Sequence, residues 1–163
     1  MAIVLKENNK ILAFNVSQHV GKAKPNQWTD CMLVLYLLNR YAAFTMDTDH
    51  GMGMPTFDPN RDYNNIKVIT EAILHFQTHC CNNGTPLKQD GKIHRPTNWS
   101  IDRFKYTIGI LNIYFDSAAS RFYGDRGVKR ETFDSFEYAL EDHFMPQMLR
   151  GQLIASYAFQ GVI

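Results

Sequence analysis

The chain has 163 residues, 45% of them hydrophobic and 13% aromatic, enough bulky apolar side chain for one packed domain and too much for a disordered segment. A formal charge of +1 and the lack of any basic run argue against a nucleic-acid partner. The longest apolar run, Cys31 to Leu38, falls far short of the ~20 residues that cross a bilayer, so no membrane span is expected.

The apolar start Met1-Ala2-Ile3-Val4-Leu5 breaks at Lys6, too early for a secretory signal, and the expected location is cytoplasmic, with export by a non-classical route as the alternative. The three cysteines cannot all pair within one chain. Cys80 and Cys81 are adjacent on an expected helix and diverge, so reduced, structural thiols are expected, with Cys31 a small core residue.

In chain order, Ile3–Leu5 and Ile11–Val16 read as two short strands around the polar turn 6–10, followed by a loop over Val20–Asn26. A first helix begins near Thr29, its expected N-cap, with Asp30 in the first turn. Its body, Cys31 to Leu38, is apolar on every side and so belongs at the centre of the molecule. From Tyr41 to Tyr63 no period is present and a long loop is expected. Ile66, Ile69, Ile73, Phe76 and Cys80 then step by three and four residues, one face of a second helix ending before Asn82-Asn83-Gly84.

The same rhythm in Ile101, Phe104, Ile108, Leu111, Phe115, Ala118 and Phe122 predicts a third helix of about six turns, capped by Asn98 or Ser100 and closed by Gly124. A fourth runs from about Glu131 to Phe144, on Phe133, Phe136, Leu140 and Phe144. The tail from Gln152 to Ile163 is expected to be a strand joining the N-terminal pair.

Between the second and third helices lies Asp90-Gly91-Lys92-Ile93-His94-Arg95-Pro96-Thr97. Asp-Gly is a turn dipeptide, and Ile93 drops back into the core as the chain crosses over. Together with Phe76-Gln77 before it, this segment resembles the Phe-Gln, loop, Asp-Gly-x-Val-Gly-Pro-x-Thr crossover of the peptidoglycan-binding-like domains. Ile93 stands for the Val, and Val20-Gly21, Pro25-Asn26, Asp30 and Leu33 to Asn39 resemble the start of such domains. The resemblance covers about residues 20–115. His94-Arg95 replaces the family's Gly-Pro, the 41–63 loop is longer, and residues 116–163 are additional. It implies a mainly α core, and with the elements read above the expectation is a helical bundle of about four helices in one domain spanning 1–163, with a small N-terminal β-hairpin that the C-terminal strand joins.

The resemblance also implies a non-catalytic module that binds peptidoglycan along the groove beside the crossover, through Gln77, Lys92, His94, Arg95 and Trp99. An indole face stacks on sugar rings and Arg grips stem-peptide carboxylates in pairs of hydrogen bonds. The competing reading is that Trp99 is a core plug and His94-Arg95 an ordinary solvated turn. An alternative role is a bacterial adaptor that holds another protein in a secretion or phage-like assembly. A weaker one is a wall hydrolase using His75, His79 or the Asp47–His50 loop.

No cofactor or metal is expected. His75 and His79 are four apart, but Phe76 stands where a zinc protease carries Glu. Asp47-Thr48-Asp49-His50-Gly51 fails the calcium-loop spacing, with Met52 at the glycine position and Asp58 at the glutamate position. Met46, Met52 and Met54 could give that loop a soft surface for a partner. No triad, phosphate loop or nucleophile elbow is present, so no enzyme is expected.

Overall fold

A computed structural model describes residues 1–53, 57–129 and 131–160, without the side chains of 158–160. The chain opens with a hairpin of β1 (Ile3–Glu7) and β2 (Lys10–Asn15), paired antiparallel with a register shift between Leu5 and Lys6. Asn8 and Asn9 both take positive φ, the conformation a two-residue turn of matching twist demands and one that Asn tolerates. Neither edge of this ribbon is left open. On one side Asn112 acts as a substitute strand, accepting from the Phe14 N–H (2.8 Å) and donating to the Phe14 carbonyl (2.8 Å). On the other the Val4 N–H donates to Ser156 Oγ at 3.1 Å.

Helix α1 (Trp28–Phe44) is the central rod, with every residue from Thr29 to Leu38 buried. Two expectations change here. Thr29 is not the N-cap: Gln27 holds that position, and Thr29 Oγ1 sits inside the helix, accepting from Ala2 N and donating to Gln152. Asp30 does lie in the first turn, and its buried carboxylate collects Ser17 N, Ser17 Oγ and Gln18 N, tying the chain after β2 to the helix start. Nor does the 41–63 loop begin at Tyr41. The helix continues to Phe44 because Tyr41, Ala42 and Phe44 still face inward. A short helix α2 (Pro59–Asp62) sits inside the connection, capped by Asp58.

Helix α3 (Ile66–Asn82) has the expected stripe and ends at Asn83 with Gly84 at positive φ. The expected six-turn third helix is two pieces: α4 (Trp99–Asp102) and α5 (Thr107–Gly124). Ile101 and Phe104 keep the phase but are 56% and 61% exposed, so they extend the rhythm without entering the core. Tyr106 is extended, and the bend brings the backbone of Arg103 so close to Gly109 that a Cβ there would collide with the Arg103 carbonyl oxygen. Gly124 closes nothing: it is the last helical residue, and the positive φ comes at Gly127.

Helix α6 (Ser135–Glu141) starts later than expected, where Asp134 accepts from Phe136 N and Glu137 N, and it ends before Phe144, which is exposed. The expected C-terminal strand is overturned up to residue 160: α7 (Gln147–Gln160) is a helix that buries Leu149 and Leu153, four apart, and packs on β1 and α1. Residues 161–163 lie outside the described part.

The described residues thus hold seven helices and the hairpin, a mainly helical fold. One hydrophobic cluster runs from the hairpin through α1, α3, α5, α6 and α7. A polar clasp fixes its lower end. Asp142, 4% exposed, accepts from Tyr36 Oη (2.8 Å) and pairs with Arg40 (3.0 Å), while Arg150 of α7 donates to the carbonyls of Leu140 and Asp142. None of the described helices is long and apolar enough to cross a membrane.

Candidate binding face

The crossover is anchored by one side chain. Gln77 projects from α3 into the interior, 1% exposed. Its Oε1 accepts from Asp90 N (3.1 Å) and Gly91 N (2.8 Å). Its Nε2 lies within hydrogen-bonding distance of Asp90 Oδ1 (3.2 Å), Lys92 O (3.0 Å) and Thr107 Oγ1 (3.0 Å). Gln77 is therefore turned away from solvent, and its amide is spent on holding the loop to α3 and α5. Gly91 has φ +67°, and a Cβ there would meet Thr70 Cγ2 at 2.8 Å, so no other residue lets the turn lie this close to α3.

Past the turn, Ile93 is fully buried and exchanges two backbone hydrogen bonds with Val20, at 3.0 and 2.8 Å. This two-residue bridge welds the crossover to the loop that follows β2. Gly21 completes the joint: at φ +123° its missing Cβ would lie 2.8 Å from the Gly91 carbonyl oxygen.

The welded loops present a basic face. Lys92 and His94 are half-buried and Arg95 exposed on one loop, with Lys22 exposed and His19 and Lys24 half-buried on the other. The rings of His19 and His94 meet edge to face at 5.6 Å, and His19 Nδ1 accepts from the Arg95 N–H at 2.8 Å, which fixes that nitrogen as unprotonated in this arrangement. Burial first, then the positive fields of His94, Lys24 and Arg95, lower the His19 pKa.

Asp90 is the acid in this neighbourhood. His94 Nε2 lies 3.1 Å and Lys88 Nζ 3.9 Å from its Oδ2, and Lys92 N donates to its Oδ1 at 3.0 Å. Burial pushes its carboxyl up, but the hydrogen bonds from His94, Lys92 N and Gln77 outweigh that and leave its pKa lowered. Chemically, the two joined loops offer an anion the side chains of Lys22, Lys24, Lys92 and Arg95, none of which is ion-paired within 4 Å among the described residues.

Trp99 belongs elsewhere. It packs half-buried against the core and lines a cleft of about 270 Å³ with Arg103, Phe104, Leu12 and Ile113. The exposed indole on the loop side is Trp28, at the start of α1 just after Pro25-Asn26, 59% exposed and in edge contact with Tyr63 at 5.7 Å. Sequence reasoning passed over Trp28, His19 and Lys24. The segment Val20–Asn26 reads as a loop, with Val20-Gly21 and Pro25-Asn26 part of the resemblance, but nothing in it marks a binding residue.

His75 Nε2 meets the Met52 carbonyl at 2.8 Å and His79 Nε2 meets Tyr41 Oη at 2.9 Å, so the two rings have separate partners. Burial, then His75 and His50, lower the His79 pKa. Among the described residues no group of three or more His, Cys, Asp or Glu could hold a metal ion. Residues 45–51 wind into successive turns with Asp47, Asp49 and His50 exposed. Met46 is exposed, Met52 is buried, and Met54 lies outside the described part. All three cysteines are free, and burial pushes the Cys31 and Cys80 thiols up to about 12. Comparison with family models, curated proteins and solved structures returned no match.

Proposed function

We propose that this chain is a non-catalytic recognition module related to the peptidoglycan-binding-like domains, and that it reads anionic groups of the cell wall through the face formed by the 17–27 and 84–98 loops. One observation carries the reading. Gln77 and the Val20–Ile93 bridge tie the two loops together, so the backbone that carries Lys92 and Arg95 is fastened to the backbone that carries Lys24 and need not be ordered on binding. Stem peptides of peptidoglycan end in and carry carboxylates, which a guanidinium and two ammonium groups can grip. Trp28 supplies an exposed ring beside that face for a sugar. Co-sedimentation of the whole chain with purified peptidoglycan tests the proposal: pelleting at low salt supports it, and a chain that stays in the supernatant at low salt defeats it.

A second reading rests on a separate observation. Leu12, Ile101, Phe104 and Ile113 are large apolar side chains left exposed near the Trp99 cleft. Exposed apolar side chains around a cleft suit a protein partner, as an adaptor in a bacterial assembly would need. A stoichiometric protein recovered with the wild type and lost with Phe104→Asp would favour it.

A further inference from the structure

A cavity of about 260 Å³ opens between α1, α5 and the turns that follow α1, apart from the welded loops. Its lining sets Tyr41, Phe44 and Tyr114 beside aliphatic and polar side chains, His50 and Ser117 among them. Tyr41 and Tyr114 approach at 5.7 Å between centroids, and Phe44 is buried beside them. At the rim stands Arg121, an exposed side chain of α5 with no carboxylate within 4 Å among the described residues. The cavity lining contains no Asp or Glu at all. The guanidinium field reaches the floor: burial drives the Tyr41 phenol up to about 12, and Arg121 acts against that rise.

Three hydroxyls of the lining have their protons or oxygens already engaged. Thr45 Oγ1 donates to the Tyr41 carbonyl and Thr48 Oγ1 to the Thr45 carbonyl, both at 2.8 Å, and Tyr41 Oη is held by His79. His50, Ser117 and Arg121 are the polar groups left for an occupant, fewer than a polyhydroxylated ring would need to pair all its hydroxyls, while Tyr41, Phe44, Tyr114, Ile113 and Ala118 offer apolar surface. An apolar ring loses nothing, and the volume, just under the ~300 Å³ at which ordinary small-molecule clefts begin, limits the occupant to about one ring. The electrostatic demand is for a single negative charge at the rim.

We infer that this cavity binds a small monocarboxylate with one flat apolar ring, the ring lying against Tyr41, Phe44 and Tyr114 and the carboxylate held by Arg121. Such a site is independent of the wall-binding proposal and uses none of its residues.

Titration of the whole chain with 3-phenylpropionate, its amide and N-acetylmuramic acid, followed by calorimetry, tests the inference. The acid is expected to bind, the uncharged amide at least about tenfold more weakly, and Arg121→Gln to lose the same factor, since one charge-assisted pair of hydrogen bonds separates them. Arg121→Gln should melt with the wild type because the side chain is exposed, and Lys92→Glu/Arg95→Glu should bind the acid unchanged. No binding of the acid up to millimolar concentration, equal binding of acid and amide, an unaffected Arg121→Gln, or preference for the muramic acid would each overturn it.

Discussion

The crossover after α3 and the corner between α4 and α5 are neighbours in sequence, yet they use apolar residues in opposite ways. At the crossover a single Ile93 is fully buried, and the backbone around it is satisfied by Gln77, Val20 and Asp90. At the corner Ile101 and Phe104 hold the same helical phase as the buried residues of α5 and stand in solvent. Periodic spacing reports only which way a side chain would point if the helix were continuous. The corner closes its backbone too, with Arg103, Lys105 and Tyr106 N–H groups donating to the Trp99 and Asp102 carbonyls, so burial is decided by whether the turn lays the side chain against the core and not by the spacing.

That contrast can be broken by mutation. The largest effect is expected at Gln77, where Gln77→Leu leaves the Asp90 and Gly91 N–H groups and the Lys92 carbonyl without their partner. We expect a loss of about 3 kcal/mol, a fall in Tm of roughly 6–12 °C, measured by thermal melting. Asn112→Ala should follow at about 2 kcal/mol, because the Phe14 N–H and carbonyl are orphaned beneath α5. In contrast, Phe104→Ala, although it removes a whole aromatic ring in phase with the core, should stay within about 0.5 kcal/mol. If Phe104→Ala matched Gln77→Leu, the corner would be packed and the contrast would fail.

Acidity sharpens the same comparison. His19 has a lowered pKa, so the unfolded chain takes up that proton first, and stability declines as pH falls below the ordinary His value of 6.5 until the folded ring also protonates. Asp90 has a lowered carboxyl, so its contribution is complete above 3.8 and is lost as pH drops through its folded value. Melting from pH 7 to pH 3 should therefore show a shallower decline below 6.5 in His19→Gln and a shallower one below 3.8 in Asp90→Asn. Part of the decline below 6.5 persists in His19→Gln, since His79 shifts the same way. Variants at the α4–α5 corner should leave both slopes alone.

Much of the crossover was legible because its chemistry is local. Asp-Gly announces positive φ, Gly91 takes it, and an apolar residue two positions on returns to the core. Helices α1 and α3 were legible from composition and period. The break at Arg103–Tyr106 was not, because Gly109 and Arg103 meet only once the corner is folded, and nothing in the rhythm records that contact. The tail was misjudged for a similar reason: Leu149 and Leu153 are a helical pair, but Leu149 lies before the stretch read as a strand, and the apolar residues that follow Leu153 have no helical spacing of their own.

The binding face divides along the same line. Lys92, His94 and Arg95 follow the turn in sequence, whereas His19 and Lys24 join them through the Val20–Ile93 bridge, a pairing of residues 73 positions apart that no local pattern could disclose. Trp99 and Gln77 were associated with the face by proximity in sequence. One lines another cleft and the other holds the loop from within.

Charge reversal on the welded loops tests the central claim most directly, measured as the fraction of protein pelleting with purified peptidoglycan across a salt series. Wild type should pellet at low salt and release as salt rises, while Lys24→Glu/Lys92→Glu/Arg95→Glu, melting like the wild type, should remain in solution throughout. A triple variant that still pelleted as the wild type does would contradict the assignment of this face.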